Sequence, residues 1–235
     1  HSTSRRQRQM CIRDRSVRIR IYKTAFELLL GGEKMTGMNN RETFLKTEPE
    51  MDITQFAKTE LDLVYADESP NQILDVFYPE DGEGPYPLVI VFHGGAFAAG
   101  HKRTHYIKSM CLPVTQGYAV ATVEYRLLQE AKWPAQLIDG KAAIRYLRAN
   151  AEKLNLDPDR FAVWGNSAGG TVTQLLAVTA DEEDMDDLNV GVKASSKIDC
   201  AIAWYTISEL CSAEQFGTDI YEAVSYTHLT LPTTS

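Results

Sequence analysis

The chain has 235 residues, of which 44% are hydrophobic and 24% charged, a balance typical of a globular domain with an apolar core. Its formal net charge of −8 disfavours a nucleic-acid partner, because phosphate binding needs a basic surface. No apolar stretch reaches the length of a membrane span and no segment forms a convincing signal peptide. We therefore expect a cytoplasmic protein without a membrane span, whose oligomeric state the sequence does not fix.

Neither metal nor disulfide chemistry is indicated. The four cysteines, Cys11, Cys111, Cys200 and Cys211, have no C-x-x-C spacing, which disfavours a zinc site or a disulfide framework and fits a reducing compartment. The acidic run over residues 181–187 lacks the ligand and glycine spacing of a calcium loop, so we expect a solvated loop there. We expect no cofactor and no metal.

The two ends of the chain differ from its middle. Residues 1–16 are rich in arginine and residues 225–235 are almost all small or polar. Both resemble translated adapter or cloning sequence, and natural disordered tails are the alternative. We expect a helical cap or lead-in over residues 17–56 and one α/β domain over residues 57–224.

In chain order, the first predicted elements are two strands over residues 61–65 and 73–78. Each alternates polar and apolar side chains, as a half-exposed strand does. Ser69-Pro70-Asn71 between them is a favourable turn sequence. The pattern predicts an antiparallel hairpin at a sheet edge.

The segments that follow alternate between strand and helix patterns. Continuous apolar runs over residues 88–92, 118–123 and 161–164 predict buried strands, and the run over residues 200–204 predicts a further strand. Helices are predicted over residues 104–116 and 134–153, and after residue 167. This alternation predicts a mostly parallel sheet with helices on both faces.

A G-x-S-x-G motif, Gly165-Asn166-Ser167-Ala168-Gly169, follows the third apolar run. In this setting it describes a nucleophile elbow, a sharp strand-to-helix turn that exposes the serine hydroxyl. We take Ser167 as the candidate nucleophile and the backbone N–H of Ala168 as an oxyanion donor. Gly165, Asn166 and Gly169 would support the turn. The alternative is that Ser167 only caps the helix.

A glycine loop, His93-Gly94-Gly95-Ala96-Phe97, follows the first apolar run. Attack on an acyl group places negative charge on the carbonyl oxygen, and backbone N–H groups of this loop could stabilise it. We expect His93 to brace the loop by hydrogen bonding rather than to act as the general base.

The set of motifs resembles the α/β-hydrolase fold, and more narrowly the hormone-sensitive-lipase-like esterases and the bacterial acetyl and feruloyl esterases. Besides the elbow and the glycine loop, the resemblance is carried by Glu124-Tyr125-Arg126-Leu127, Trp133-Pro134-Ala135-Gln136 and Asp157-Pro158-Asp159-Arg160. It implies hydrolysis of a small carboxylic ester through an acyl-enzyme, without a cofactor. It also implies that the amides of Gly95, Ala96 and Ala168 hold the oxyanion while Gly94 shapes the loop.

The catalytic acid and base of this fold follow the serine in the order Asp or Glu, then His. No histidine lies between Ser167 and residue 224, and His228 lies in the atypical end segment. We therefore expect an incomplete domain that lacks its last strands and has little esterase activity. A peptidase or amidase of the same fold, and a non-catalytic binding protein, are the alternatives.

Overall fold

A six-stranded sheet forms the centre of the described part of the computed structural model, which describes residues 49–180, 182 and 185–206. The strands are β1 (Lys58–Val64), β2 (Ile73–Tyr78), β3 (Tyr86–Phe92), β4 (Ala119–Val123), β5 (Leu156–Asn166) and β6 (Cys200–Trp204). They lie in the order β1-β2-β4-β3-β5-β6. Strand β2 pairs antiparallel with β1 and β4, and the other pairs are parallel. The predicted edge hairpin and mostly parallel sheet are confirmed.

Three helices connect these strands within the described residues. A 3₁₀ helix, His105–Gln116, leads from β3 to β4. Helix α1 (Ala135–Ala149) leads from β4 to β5, and α2 (Ala168–Thr179) leads from β5 towards β6. The first matches the helix predicted over residues 104–116 but is not α-helical, and Pro113 lies inside it without the N–H that an α-helical ladder needs. Helix α1 ends four residues earlier than predicted, where the Asn150 side chain donates to the Tyr146 carbonyl.

Apolar side chains fill both faces of β3 and β4, as their continuous apolar runs predicted, whereas β6 is largely exposed. Along β3, Leu88, Ile90 and Phe92 point to the face covered by α1 and α2. Val89 and Val91 point to the opposite face, where the 3₁₀ helix packs. Because neighbouring side chains of a strand alternate between faces, a strand buried on both sides must be apolar throughout. The buried strand β3 ends at Phe92, and the glycine loop begins at the next residue, His93.

Within the acidic run, Asp186 is not solvated as the composition predicted, whereas Glu182 is exposed. The Arg145 side chain of α1 is fully buried and its Nη1 lies 2.6 Å from Asp186 Oδ1. Its Nη2 also donates to the Val190 carbonyl at 2.6 Å. A buried guanidinium needs such partners, so the segment after α2 is tied to α1. Residues 181, 183 and 184 are outside the described residues, as are the end segments 1–16 and 225–235 and residues 17–48 of the predicted lead-in.

Candidate active site

Ser167 occupies a sharp turn between the end of β5 and the start of α2. Its backbone has φ 51° and ψ −120°, a conformation that non-glycine residues rarely adopt and that costs free energy. The Ser167 N–H donates to the Trp204 carbonyl at the end of β6 at 2.9 Å. Among the described residues, none forms a hydrogen bond with the Ser167 hydroxyl. The turn therefore has the strained geometry of a nucleophile elbow, with an unengaged hydroxyl at its apex.

The two glycines of the motif are required by backbone contacts. A Cβ on Gly165 would lie 2.2 Å from the Gly169 carbonyl oxygen, and a Cβ on Gly169 would lie 2.1 Å from the Phe92 carbonyl oxygen. Both distances are far below van der Waals contact. Strands β3 and β5 and the first turn of α2 thus meet backbone to backbone, and only glycine fits at either position.

The glycine loop after β3 lies directly beside the elbow. A Cβ on Gly94 would lie 3.2 Å from the Ser167 Cβ and 3.0 Å from the Asn166 carbonyl oxygen. Gly95 has φ 120° and Ala96 has φ 54°, so the chain turns tightly here. The structure therefore brings together the serine and the loop that the sequence predicted as its partner.

The N–H groups expected to hold an oxyanion are available. Within residues 49–180, 182 and 185–206, no hydrogen-bond acceptor is found for the backbone N–H of Gly95, Ala96 or Ala168. The Gly95 carbonyl is used instead, because it accepts the N–H groups of Ala98 and Ala99 at 3.0 and 2.9 Å. These two hydrogen bonds close the loop at the Gly95 carbonyl. The N–H groups of Gly95 and Ala96, which have no acceptor among the described residues, can bind a ligand oxygen.

His93 is fully buried and contacts the loop rather than the serine. Its Nδ1 lies 2.7 Å from the Gly94 carbonyl oxygen, and because a carbonyl can only accept, Nδ1 carries the proton. Its ring stacks on Tyr125 with centroids 4.3 Å apart. Burial lowers the pKa of His93 to about 4, so the ring is neutral at pH 7. These contacts are those of a bracing residue.

The family model described as BD-FAE matches residues 74–231, which contain both the glycine loop and the elbow. The chain belongs to the BD-FAE family.

Similar proteins agree with this assignment. The chain is 33% identical over 121 residues to Esterase LipC of Mycobacterium tuberculosis, a match that covers 51% of the chain and 30% of LipC. It is 36% identical over 105 residues to Carboxylesterase NlhH of the same species, covering 45% of the chain and 33% of NlhH. The chain thus spans about a third of the length of these relatives. The resemblance to carboxylesterases is confirmed.

A solved structure shows the fold. The esterase of Pyrobaculum calidifontis superposes with a TM-score of 0.59 at 24% identity, and the match covers 85% of this chain and 64% of that one. The sheet order and the strand-elbow-helix arrangement are therefore those of an α/β-hydrolase, as the motifs predicted.

Within this BD-FAE domain, Glu124 is a neighbour of His93 that its sequence position alone did not reveal. The Glu124 Oε1 lies 3.8 Å from His93 Nε2, which has no hydrogen-bond partner among the described residues. Burial raises the pKa of Glu124 to about 7, although the Lys102 backbone N–H, bonded to Oε2 at 2.8 Å, acts in the opposite direction. Burial thus favours the uncharged form of this carboxyl beside the neutral imidazole.

A buried charge cluster anchors the segment that follows the glycine loop. Asp75 of β2 is fully buried and lies 2.6 Å from both Lys102 Nζ and Arg103 Nε. A buried carboxylate is tolerated only when it is paired and hydrogen-bonded in this way. The cluster fixes where the loop returns to the sheet, and no local sequence pattern marks it because Asp75 is far from Lys102 and Arg103 in the chain.

The remaining residues near the site make structural contacts. Arg126 donates to the buried Asp139 through Nη2 at 2.7 Å, which ties the end of β4 to α1. Phe97, an aromatic residue of the glycine loop, lies in the core against Trp133. Asn166 donates from Nδ2 to the Tyr205 hydroxyl at 3.0 Å, so Tyr205 lies beside the elbow.

Two further observations bear on cofactors and membranes. No group of three or more His, Cys, Asp or Glu side chains is placed to hold a metal ion in the described part of the chain. The same described segments contain no helix with the length and hydropathy of a membrane span.

Proposed function

We propose that this BD-FAE domain belongs to a serine carboxylic-ester hydrolase that acts on a small ester. The observation that carries the proposal is the contact between the two turns. The Ser167 elbow and the Gly94 backbone adjoin, and the N–H groups of Gly95, Ala96 and Ala168 have no acceptor among the described residues. The names of the relatives LipC and NlhH support ester hydrolysis as the reaction.

The chemistry follows from the groups present. Ser167 Oγ forms a bond to the ester carbonyl carbon, its proton leaves to a base, and the negative charge on the carbonyl oxygen is held by backbone N–H groups. Collapse of this tetrahedral species breaks the carbon–oxygen ester bond, and the alcohol leaves with a proton. Water then attacks the acyl-serine in the same way and releases the acid.

The base is the part of the machinery for which the described residues offer no group. His93 is fully buried and its Nδ1 is bonded to the Gly94 carbonyl, and no histidine lies between Ser167 and residue 224. We propose that this polypeptide turns over esters slowly, because oxyanion donors and binding retain roughly 10³- to 10⁴-fold acceleration when triad members are absent. We also favour esters over amides, since an amine leaves only after a general acid has protonated it.

The test is acyl transfer at Ser167. Release of p-nitrophenol from p-nitrophenyl acetate is measured for the unsubstituted chain and for Ser167→Ala, with and without added imidazole as an external base. Ser109→Ala, which removes an exposed hydroxyl on the 3₁₀ helix, is the matched control. We expect slow release that imidazole accelerates, that Ser167→Ala abolishes after subtraction of the imidazole background, and that Ser109→Ala leaves unchanged.

Mass spectrometry of the protein after reaction with a fluorophosphonate locates the nucleophile. A phosphonyl group on Ser167 is expected. Equal release by Ser167→Ala, or a label on another residue only, contradicts the proposal. Release of p-nitroaniline from p-nitroacetanilide at the same rate as phenol release from the ester would favour the amidase alternative.

A further inference from the structure

The carbonyl of Gly94 receives two hydrogen bonds, and the second comes from a residue outside the glycine loop. His93 Nδ1 donates at 2.7 Å and the Tyr106 hydroxyl donates at 2.9 Å. A carbonyl oxygen has two lone pairs, so both acceptor positions of this oxygen are filled. Tyr106 lies in the first turn of the 3₁₀ helix that follows the loop, and nothing in the sequence motifs marks it.

The absence of a side chain at Gly100 leaves room for these two hydrogen bonds. A Cβ there would lie 2.5 Å from His93 Nδ1, 2.6 Å from the Gly94 carbonyl oxygen and 3.0 Å from the Tyr106 hydroxyl oxygen. Three polar atoms therefore converge above one α-carbon. Gly100 also has φ 89°, a conformation suited to glycine. Glycine at position 100 therefore allows His93 and Tyr106 to approach the Gly94 carbonyl together.

Holding the Gly94 carbonyl also orients the Gly95 N–H. The two groups belong to one planar peptide and, in the trans form, point in opposite directions. The carbonyl is turned towards His93 and Tyr106, so the N–H points away from them, and it has no acceptor among the described residues. Glycine on both sides leaves this peptide unusually free to rotate. Two donors on its carbonyl oppose that rotation.

We propose that Tyr106 is a positioning residue for the oxyanion site: its hydroxyl fixes the Gly94–Gly95 peptide so that the Gly95 N–H is directed at the developing oxyanion. The inference rests on the proposed function for its catalytic consequence, whereas the orientation of the peptide can be tested separately. His93 alone holds one lone pair of the carbonyl. Tyr106 fills the second and restricts rotation from the other side.

The expected effect is intermediate. Removing an oxyanion donor outright costs about 100- to 1,000-fold in rate. Tyr106→Phe leaves the His93 bond in place, so we expect about a tenfold loss. The loss falls on binding of the tetrahedral species rather than of the planar ester, because the oxyanion forms only on the way to the transition state.

The experiment uses phenylboronic acid, which forms a tetrahedral, negatively charged adduct with an active serine and needs no turnover. Its Kd is measured by NMR titration for the unsubstituted chain, Tyr106→Phe, Tyr118→Phe and Ser167→Ala. Tyr118 is the matched control, since it is 42% exposed against 37% for Tyr106 and directly precedes β4. In the same labelled samples, the Gly94 carbonyl and Gly95 amide resonances report the orientation of the peptide.

We expect Tyr106→Phe to move both resonances and to weaken boronate binding about tenfold, while Tyr118→Phe changes neither. Where p-nitrophenyl acetate turnover is measurable, kcat should fall with little change in KM. Equal boronate affinity for Tyr106→Phe and the unsubstituted chain, with affinity lost in Ser167→Ala, overturns the inference and leaves the proposed function standing. Affinity unchanged in Ser167→Ala contradicts the proposed function instead. If, in addition, the Gly94 carbonyl and Gly95 amide resonances do not move in Tyr106→Phe, the positioning role is overturned as well.

Discussion

The two turns that form the candidate site are held in different ways. The elbow between β5 and α2 is fixed by backbone contacts, because Gly165 and Gly169 bring three chain segments closer than any side chain allows. The glycine loop after β3 is fixed by side chains from elsewhere, among them the hydroxyls of Tyr106 and Tyr125. The elbow is therefore specified by five consecutive residues, whereas the loop depends on the packing of distant elements.

Gly169→Ala tests the elbow most severely. The added Cβ would lie 2.1 Å from the Phe92 carbonyl oxygen and 2.5 Å from that of His93, so α2 would have to separate from the sheet. We expect a loss of more than about 4 kcal/mol in the free energy of unfolding, at the extreme of single substitutions. That is comparable with the whole stability of many domains. Chemical denaturation followed by circular dichroism measures it.

Gly117→Ala is the matched control for this substitution. Gly117 also requires a left-handed backbone, with φ 84°, but no atom lies within 4 Å of the added Cβ. We expect only the conformational cost of about 1–2 kcal/mol. Similar losses for the two variants would mean that backbone contact does not define the elbow.

The same difference explains how much of the site could be predicted from sequence. The elbow and its two glycines were predicted because the motif is local and follows a continuous apolar strand. The contact of His93 with Glu124 was not predicted, although each follows a buried strand. It depends on β3 lying beside β4 in parallel, with Phe92 opposite Val123, and on a strand order that departs from chain order.

Tyr106 was also missed for a physical reason. A tyrosine in the first turn of a helix resembles any amphipathic surface residue, and only the packing of that helix brings its hydroxyl to the Gly94 carbonyl. The apolar runs located strands β3 to β6, although β5 begins at Leu156, five residues before its run. Apolar runs determine which residues can be buried, whereas Pro113 and Asn150 decide helix type and length through individual hydrogen bonds.

Glu124→Gln probes the side-chain support of the loop through pH. Burial raises the pKa of Glu124 from its ordinary value of 4.5 to about 7, so the folded state binds this proton more tightly than the unfolded state. The stability it contributes is present below about pH 4.5 and is lost as the pH rises through about 7. Glutamine cannot lose a proton. We therefore expect the stability of Glu124→Gln, relative to the unsubstituted chain, to increase by about 3 kcal/mol over that range.

Unfolding free energies measured at intervals between pH 4 and pH 8 give this difference curve, in which other titrating groups cancel. Glu83→Gln, which makes the same substitution at an exposed carboxyl before β3, is the control for the substitution itself. A flat curve for Glu124→Gln would show that this carboxyl is solvated, and would remove the loop's support on the β4 side.

Tyr125→Phe removes one of the hydroxyls that hold the loop. The buried Tyr125 hydroxyl donates to the His93 carbonyl at 2.7 Å, and its loss leaves that buried carbonyl without this donor. We expect a loss of about 1–3 kcal/mol in the free energy of unfolding, measured by urea denaturation. Tyr118→Phe should change stability by less than about 0.5 kcal/mol, as exposed substitutions do. Equal values for the two would mean that the β3 end of the loop does not need Tyr125.

We expect Gln129→Ala to cause the smallest loss in the free energy of unfolding among these substitutions. The Gln129 side chain is exposed and donates from Nε2 to the Ala98 carbonyl at 2.7 Å, at the far end of the loop from Ser167. Water can replace this donor, so we expect a loss near the lower end of the range for a hydrogen bond, about 0.5 kcal/mol. Urea denaturation of Gln129→Ala and Tyr125→Phe under the same conditions compares their two losses in the free energy of unfolding. A larger loss for Gln129→Ala than for Tyr125→Phe would contradict this ranking. It would mean that the loop is held mainly from its solvent side rather than by the buried residues around His93.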